Sequence, residues 1–177
     1  MRKPLGLFAA ATLFILACAH APTKPGARAD LVKDARQTLA KMEADDPSLR
    51  PLLDQSLAYV VFPRVGEGGF IIGGGAGSGV VFERGKPNGF AEITHASVGA
   101  LVGGQRYAQL VVVKDPDALE ALKTGRFDFG AKAQAIIVRT GASTNATFEK
   151  GVAVFVDPIR GGMVNASVTG QRIRLTL

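Results

Sequence analysis

His95 and Ser97 stand two residues apart in a stretch that alternates like a strand. Their side chains therefore face the same way, and an imidazole beside a hydroxyl is the beginning of a base and nucleophile pair. No nucleophile elbow or oxyanion motif accompanies them, and hydrogen bonding within Thr94-His95-Ala96-Ser97 accounts for the pair without catalysis. Residues 66–104, GEGGFIIGGGAGSGVVFERGKPNGFAEITHASVGALVGG, suggest a second chemistry, the cradling of a phosphate. No G-x-G-x-x-G register occurs between Gly66 and Gly79, no G-K-S/T is present, and no long helix follows to receive the phosphate. The other reading of those glycines is a run of tightly bent strands, since glycine allows sharp turning and close backbone approach. Metal chemistry lacks ligands: His95 would have to work with scattered carboxylates. Asp115 and Asp117 are explained by a helix start. These observations point away from an enzyme, from any cofactor and from nucleotide binding.

Cys18 is the one cysteine of the 177-residue chain, so its thiol has no internal disulfide partner. It ends an apolar run over residues 5–17 that follows Arg2 and Lys3, a run too short to span a bilayer, which needs about 20 residues. Positive start, apolar run, small residue and then cysteine resemble a bacterial lipoprotein signal. That resemblance implies that residues 1–17 are removed, that the Cys18 thiol is acylated and that Cys18 opens the mature chain. Ala19 in place of aspartate after the cysteine implies, in a Gram-negative host, an outer-membrane anchor facing the periplasm. The alternative is an ordinary secretory cut near residues 17–19, which leaves Cys18 without a role. A lipoprotein cysteine carries two or three acyl chains, enough for stable anchoring without help from protein charge.

Removal of Arg2 and Lys3 leaves 19 basic against 15 acidic residues, a net charge of 19 − 15 = +4. That excess suits anionic surfaces but falls short of a nucleic-acid signature, which would add aromatic-interleaved basic clusters. The basic residues singled out for an acidic headgroup are Lys33, Arg36 and Lys41, which share one helical stretch, and Arg64, Arg84, Lys86 and Arg106, which fall on strands and turns. Whether they cluster is a tertiary question.

The elements that must position them follow from periodicity. Residues 18–29 are rich in Ala, Pro and Gly and read as a flexible tether. Residues 30–44 carry Leu31, Ala35, Leu39 and Met42 at helical spacing. Ser48 is placed to cap a second helix running through Leu57, which hands over to a strand at residues 58–62 stopped by Pro63. Strands are expected over 80–83 and 90–94, joined by a hairpin with Asn88-Gly89 at its end, then over 97–105 and 107–113. Asp115 and Pro116 open a short helix closed by Gly125, whose Leu119 and Leu122 dock on the sheet. Further strands are expected over 132–139, 144–149, 152–157, 163–169 and 172–177. Mid-strand glycines are what a strongly curved sheet or small barrel requires. The fold expected is α+β: N-terminal helices packed on a curved, mainly antiparallel β-sheet or partly closed barrel, with one short helix inserted near 116–124.

In order along the chain, AYVVFP at 58–63, GFIIGG at 69–74, GSGVVF at 77–82, SVGALVGGQ at 97–105, GGM at 161–163 and SVTG at 167–170 resemble the SYLF domain, a lipid-binding module. The resemblance covers residues 30–177. It implies a domain associated with phosphoinositide and membrane binding, whose N-terminal amphipathic helix supplies basic headgroup contacts, here Lys33, Arg36 and Lys41. Bacterial relatives are commonly secreted or lipid-anchored envelope proteins. The expectation is an envelope lipoprotein that binds anionic phospholipid membranes without catalysis. The other reading is a structural or interaction module with an envelope protein partner.

Overall fold

The computed structural model describes residues 21–69, 72–98, 103–124, 128–129, 137–139, 148–160 and 171–176. Helices α1 (Pro25–Asp45) and α2 (Leu49–Asp54) precede strands β1 (Ala58–Gly69), β2 (Ile72–Glu83), β3 (Lys86–Val98) and β4 (Gly103–Val113). Helix α3 (Pro116–Lys123) follows, then β5 (Asp128–Phe129), β6 (Ile137–Arg139), β7 (Val152–Arg160) and β8 (Gln171–Thr176). The sheet order is β5-β8-β3-β2-β1-β4-β7-β6. Every pairing is antiparallel except β6 with β7. The chain is thus α+β, with helices on an open, mainly antiparallel sheet whose edges are β5 and β6.

Alternation along the strands sends side chains to two separate cores. Val60, Phe62, Val65, Val81, Ile93, Val111, Val154 and Ile173 pack on one face together with Leu122 of α3. Tyr59, Val61, Val80, Phe82, Leu110 and Phe155 pack on the other against Ala35 and Met42 of α1 and Leu49 and Leu53 of α2. The α3 face is concave. On it the side-chain amides of Gln109 in β4 and Gln171 in β8 exchange hydrogen bonds of 3.0 and 3.1 Å. Four strand spacings separate β4 from β8, about 19 Å in a flat sheet. Two glutamines meet only because the sheet curls around its core.

Three local features depart from the expectations. Pro63 does not stop β1, which runs on to Gly69 with register shifts between Val61 and Arg64 against β2 and between Phe62 and Val65 against β4. A bulge lets a residue without an N–H sit in a central strand. The β2–β3 turn is Arg84-Gly85, with φ of 51° and 75°, a two-residue connection of the kind that suits hairpin twist. Asn88-Gly89 lies instead within β3, where the register shifts opposite Val81 and Phe82. Ser48 stands at the N-cap of α2 as expected, but its hydroxyl makes no capping bond, donating instead to Asp46 Oδ1 at 2.5 Å, and the helix ends at Asp54.

The strand expected over 97–105 is instead the end of β3 and the start of β4. The strand expected over 132–139 is described only as β6 at 137–139, and of 144–149 only 148–149 are described; 163–169 lie outside the described residues. At the short helix, Asp115 Oδ1 accepts from the Ala118 N–H at 3.0 Å, and Leu122 is buried as expected. Lys123 Nζ stands 2.9 Å from Glu83 Oε1, tying α3 to the end of β2 and holding the Glu83 carboxyl below its ordinary range.

The tether is shorter than residues 18–29. Lys24 is the N-cap of α1 and Pro25 its first residue, so 25–29 are helical. Proline at the first turn loses no hydrogen bond, which is why the helix reaches back to it.

Candidate functional site

The inner face of the sheet ends in a row of polar side chains opposite the end that α3 covers. Gln105 of β4 pairs in register with Glu67 of β1, Glu67 with Gly75 of β2, Gly75 with His95 of β3, and His95 with Gln171 of β8. Gly75, with no side chain, leaves the middle of the row open. Across it His95 Nε2 comes to 3.7 Å from Glu67 Oε1, with both side chains at most 9% exposed. Gln105 Nε2 donates to Glu67 Oε2 at 2.6 Å, and the Tyr107 ring lies 6.3 Å from the His95 ring. His95 Nδ1 is buried and makes no hydrogen bond among the described residues.

The sequence pointed His95 toward Ser97. Its neighbours are Glu67 and Tyr107, from strands far apart in the chain. Glu67 carried one readable signal, as the sole charged residue between Arg64 and Glu83.

Burial, joined by the Glu67 charge, pushes the Tyr107 phenol well above its ordinary value of 10.0. A raised pKa means the fold favours the protonated phenol. The contribution is complete below pH 10 and lost as pH rises, because the unfolded chain releases that proton first. Tyr107→Phe should therefore flatten the alkaline limb of stability, by up to about 1.4 kcal/mol per pH unit above pH 10. Urea titrations of both proteins at several alkaline pH values check this. Parallel limbs would show that Tyr107 already ionises in the fold. Tyr59, also raised by burial, is present in both proteins and cancels in the comparison.

The basic residues fall on the opposite, helix-bearing side and at the turn. Helix α1 crosses the strands there, touching β1 where the Arg64 guanidinium pairs with Asp34 and β7 where Lys41 Nζ lies 2.7 Å from Asp157 Oδ2. Lys41 also bridges Asp45 at 2.7 Å. Asp157, then Asp45, hold its ammonium above the ordinary value. Lys33 and Arg36 lie on the solvent side of α1, and Arg84 and Lys86 sit at and beside the β2–β3 turn. Arg106 emerges from β4 opposite Gly66, two residues along from Arg64. The seven residues do not form one cluster: two are neutralised by helix or sheet carboxylates, two share the outer side of α1, two share the turn and one stands at the glycine-rich end. Cys18 lies outside the described residues.

Among the described residues, no three of the His, Cys, Asp and Glu side chains are grouped to hold a metal ion. No helix among them is long and apolar enough to cross a membrane. Leu57 and Ile159 are the large apolar side chains they leave exposed.

No protein-family model matches the chain. It is similar to Beta cell expansion factor A of Aeromonas veronii, 22% identical over 140 residues that make up 78% of this chain and 53% of that protein. The chain thus spans about half the length of the curated relative it matches.

Proposed function

We propose that the protein is an envelope lipoprotein, acylated at Cys18, whose SYLF-like domain binds anionic phospholipid membranes without catalysis. The observation that carries this reading is the set of cations the fold leaves open. Lys24, Lys33, Arg36, Arg84, Lys86, Arg106 and Arg174 are exposed and make no ion pair among the described residues, whereas Lys41 and Arg64 are engaged by carboxylates. A basic side chain near an anionic leaflet contributes about 1 kcal/mol, decaying within a Debye length. A handful of open cations thus gives weak, salt-sensitive attraction. That suits a domain already held at a membrane by its lipid, where charge selects the surface it lies against.

Flotation of a soluble form lacking residues 1–18 tests the reading. The protein is expected to rise with vesicles containing phosphatidylglycerol, to stay behind with purely zwitterionic vesicles, and to be released as salt is raised. Equal recovery on both vesicles, or none on either, would end the electrostatic proposal.

A further inference from the structure

The point at which the N-terminal segment leaves the domain is held in place. Ala21 is buried, and its N–H donates to Glu92 Oε1 on β3. The carbonyl of the next residue, Pro22, accepts from Arg28 Nε at 2.9 Å. The Arg28 guanidinium in turn lies 4.9 Å over the Phe90 ring, also on β3. Only residues 19 and 20 separate Ala21 from Cys18, and three residue steps span at most about 11 Å when extended. A lipid on Cys18 is therefore leashed to one small region, where α1 begins over β3.

The charge around that region is positive. Lys24 is exposed at the N-cap. Arg174 of β8 is exposed directly across from Glu92, with Arg172 two residues back on the same face. The first turn of α1 contains no acidic residue, so the positive pole of the helix dipole also points this way. The acids nearby are Glu92, whose Oε1 is taken by the Ala21 N–H, Asp30, and Asp128 of β5, which stands in register with Arg172.

The far end of α1 is the reverse. Residues 43–54 contain Glu43, Asp45, Asp46 and Asp54 against Arg50 alone, and Lys41 is shared between Asp45 and Asp157. A helix of 21 residues separates the two ends by about 31 Å.

We infer that the bilayer meets the N-terminal end of α1 and the outer face of β8, through Lys24, Arg28 and Arg174, with the acidic end of α1 turned away. This rests on the acylation of Cys18 proposed above, and it names a contact surface distinct from Lys33, Arg36 and Lys41. The helix stands up from the headgroups instead of lying flat in them. A short leash and complementary charge both select that orientation, since swinging the domain over would bring the carboxylates at 43–54 against anionic lipid.

The acylated full chain offers a direct test. With the Cys18 thiol occupied by lipid, any introduced cysteine is the only free thiol in the protein. Thr23→Cys and Thr176→Cys mark the proposed contact, Gln37→Cys the middle of α1 and Ala44→Cys its far end, all at exposed positions. Each variant is labelled with bimane and reconstituted in phosphatidylethanolamine–phosphatidylglycerol vesicles containing a headgroup-nitroxide lipid. Quenching at 23 and 176 is expected to exceed that at 44 at least roughly threefold, with 37 between. Quenching at 37 and 44 equal to that at 23 and 176 would mean a flat helix and overturn the orientation, as would no quenching at any of the four. The mass of the mature chain is read on the same samples. An unmodified Cys18 would withdraw the anchor itself, and the orientation with it.

Discussion

Gly75→Ala should lower stability by about 3 kcal/mol or more in urea denaturation, an unusually large effect for one added methyl group. A Cβ at Gly75 would overlap the His95 ring and lie 2.7 Å from the Gly66 carbonyl oxygen. The ring can move aside alone only by leaving Glu67, to which its Nε2 turns at 3.7 Å. The carbonyl belongs to the backbone of β1, so relieving that contact means parting two paired strands. Gly66→Ala is the matched control: on the outer face of the same strand pair, its added Cβ would meet nothing within 4 Å. It is expected within about 0.5 kcal/mol of the parent protein. Equal stabilities for the two variants would show that the polar row tolerates a side chain at its centre.

The second large effect belongs to Gln109 and Gln171. Gln109→Leu leaves the Gln171 amide buried with its partner gone, at a cost of about 2 kcal/mol. Gln109→Leu with Gln171→Leu removes both amides together, and two apolar groups of similar shape can meet where the reciprocal pair stood. The double variant is expected to recover at least half of the loss, giving a coupling of about 1 kcal/mol or more in a double-mutant cycle. Additive losses would mean that each amide has another way to be satisfied, and that the pair does not pin β8 against β4. The geometry argues for coupling, because both side chains are at most 1% exposed and each donates to the other.

Much of the architecture is legible in the residues alone. Local chemistry wrote the α1 stripe of Leu31, Ala35, Leu39 and Met42, the Asp115-Pro116 helix start, and the alternation of β8. Each depends on residues a few positions apart, where spacing and side-chain type suffice. The glycines of 66–104 could be sorted from a phosphate loop for the same reason: the needed motif was missing and the flanking runs were strand-like.

What remained hidden depends on residues brought together from a distance. Pro63 reads locally as a strand stopper, yet the neighbouring strands absorb it with a bulge. Arg84-Gly85 rather than Asn88-Gly89 turns the hairpin, because the pairing of Glu83 with Lys86 sets where the strands meet. Alternation put His95 on one face with Ser97, but Glu67 lay beyond the strand end expected at Pro63, and only inter-strand register brings Glu67 and His95 to the same face. Only curling brought Gln109 to Gln171. Arg64 and Lys41 looked as available as Arg106 until α1 crossed the strands and delivered Asp34 to one while β7 brought Asp157 to the other. By itself the sequence determined the helices, the strand-rich glycine region, the cysteine after its apolar run and the surplus of positive charge. The tertiary structure decided which charges are neutralised, which polar groups meet inside the sheet, and where the N-terminal segment is held. Those outcomes follow from register, crossing direction and curvature, which short-range spacing does not encode.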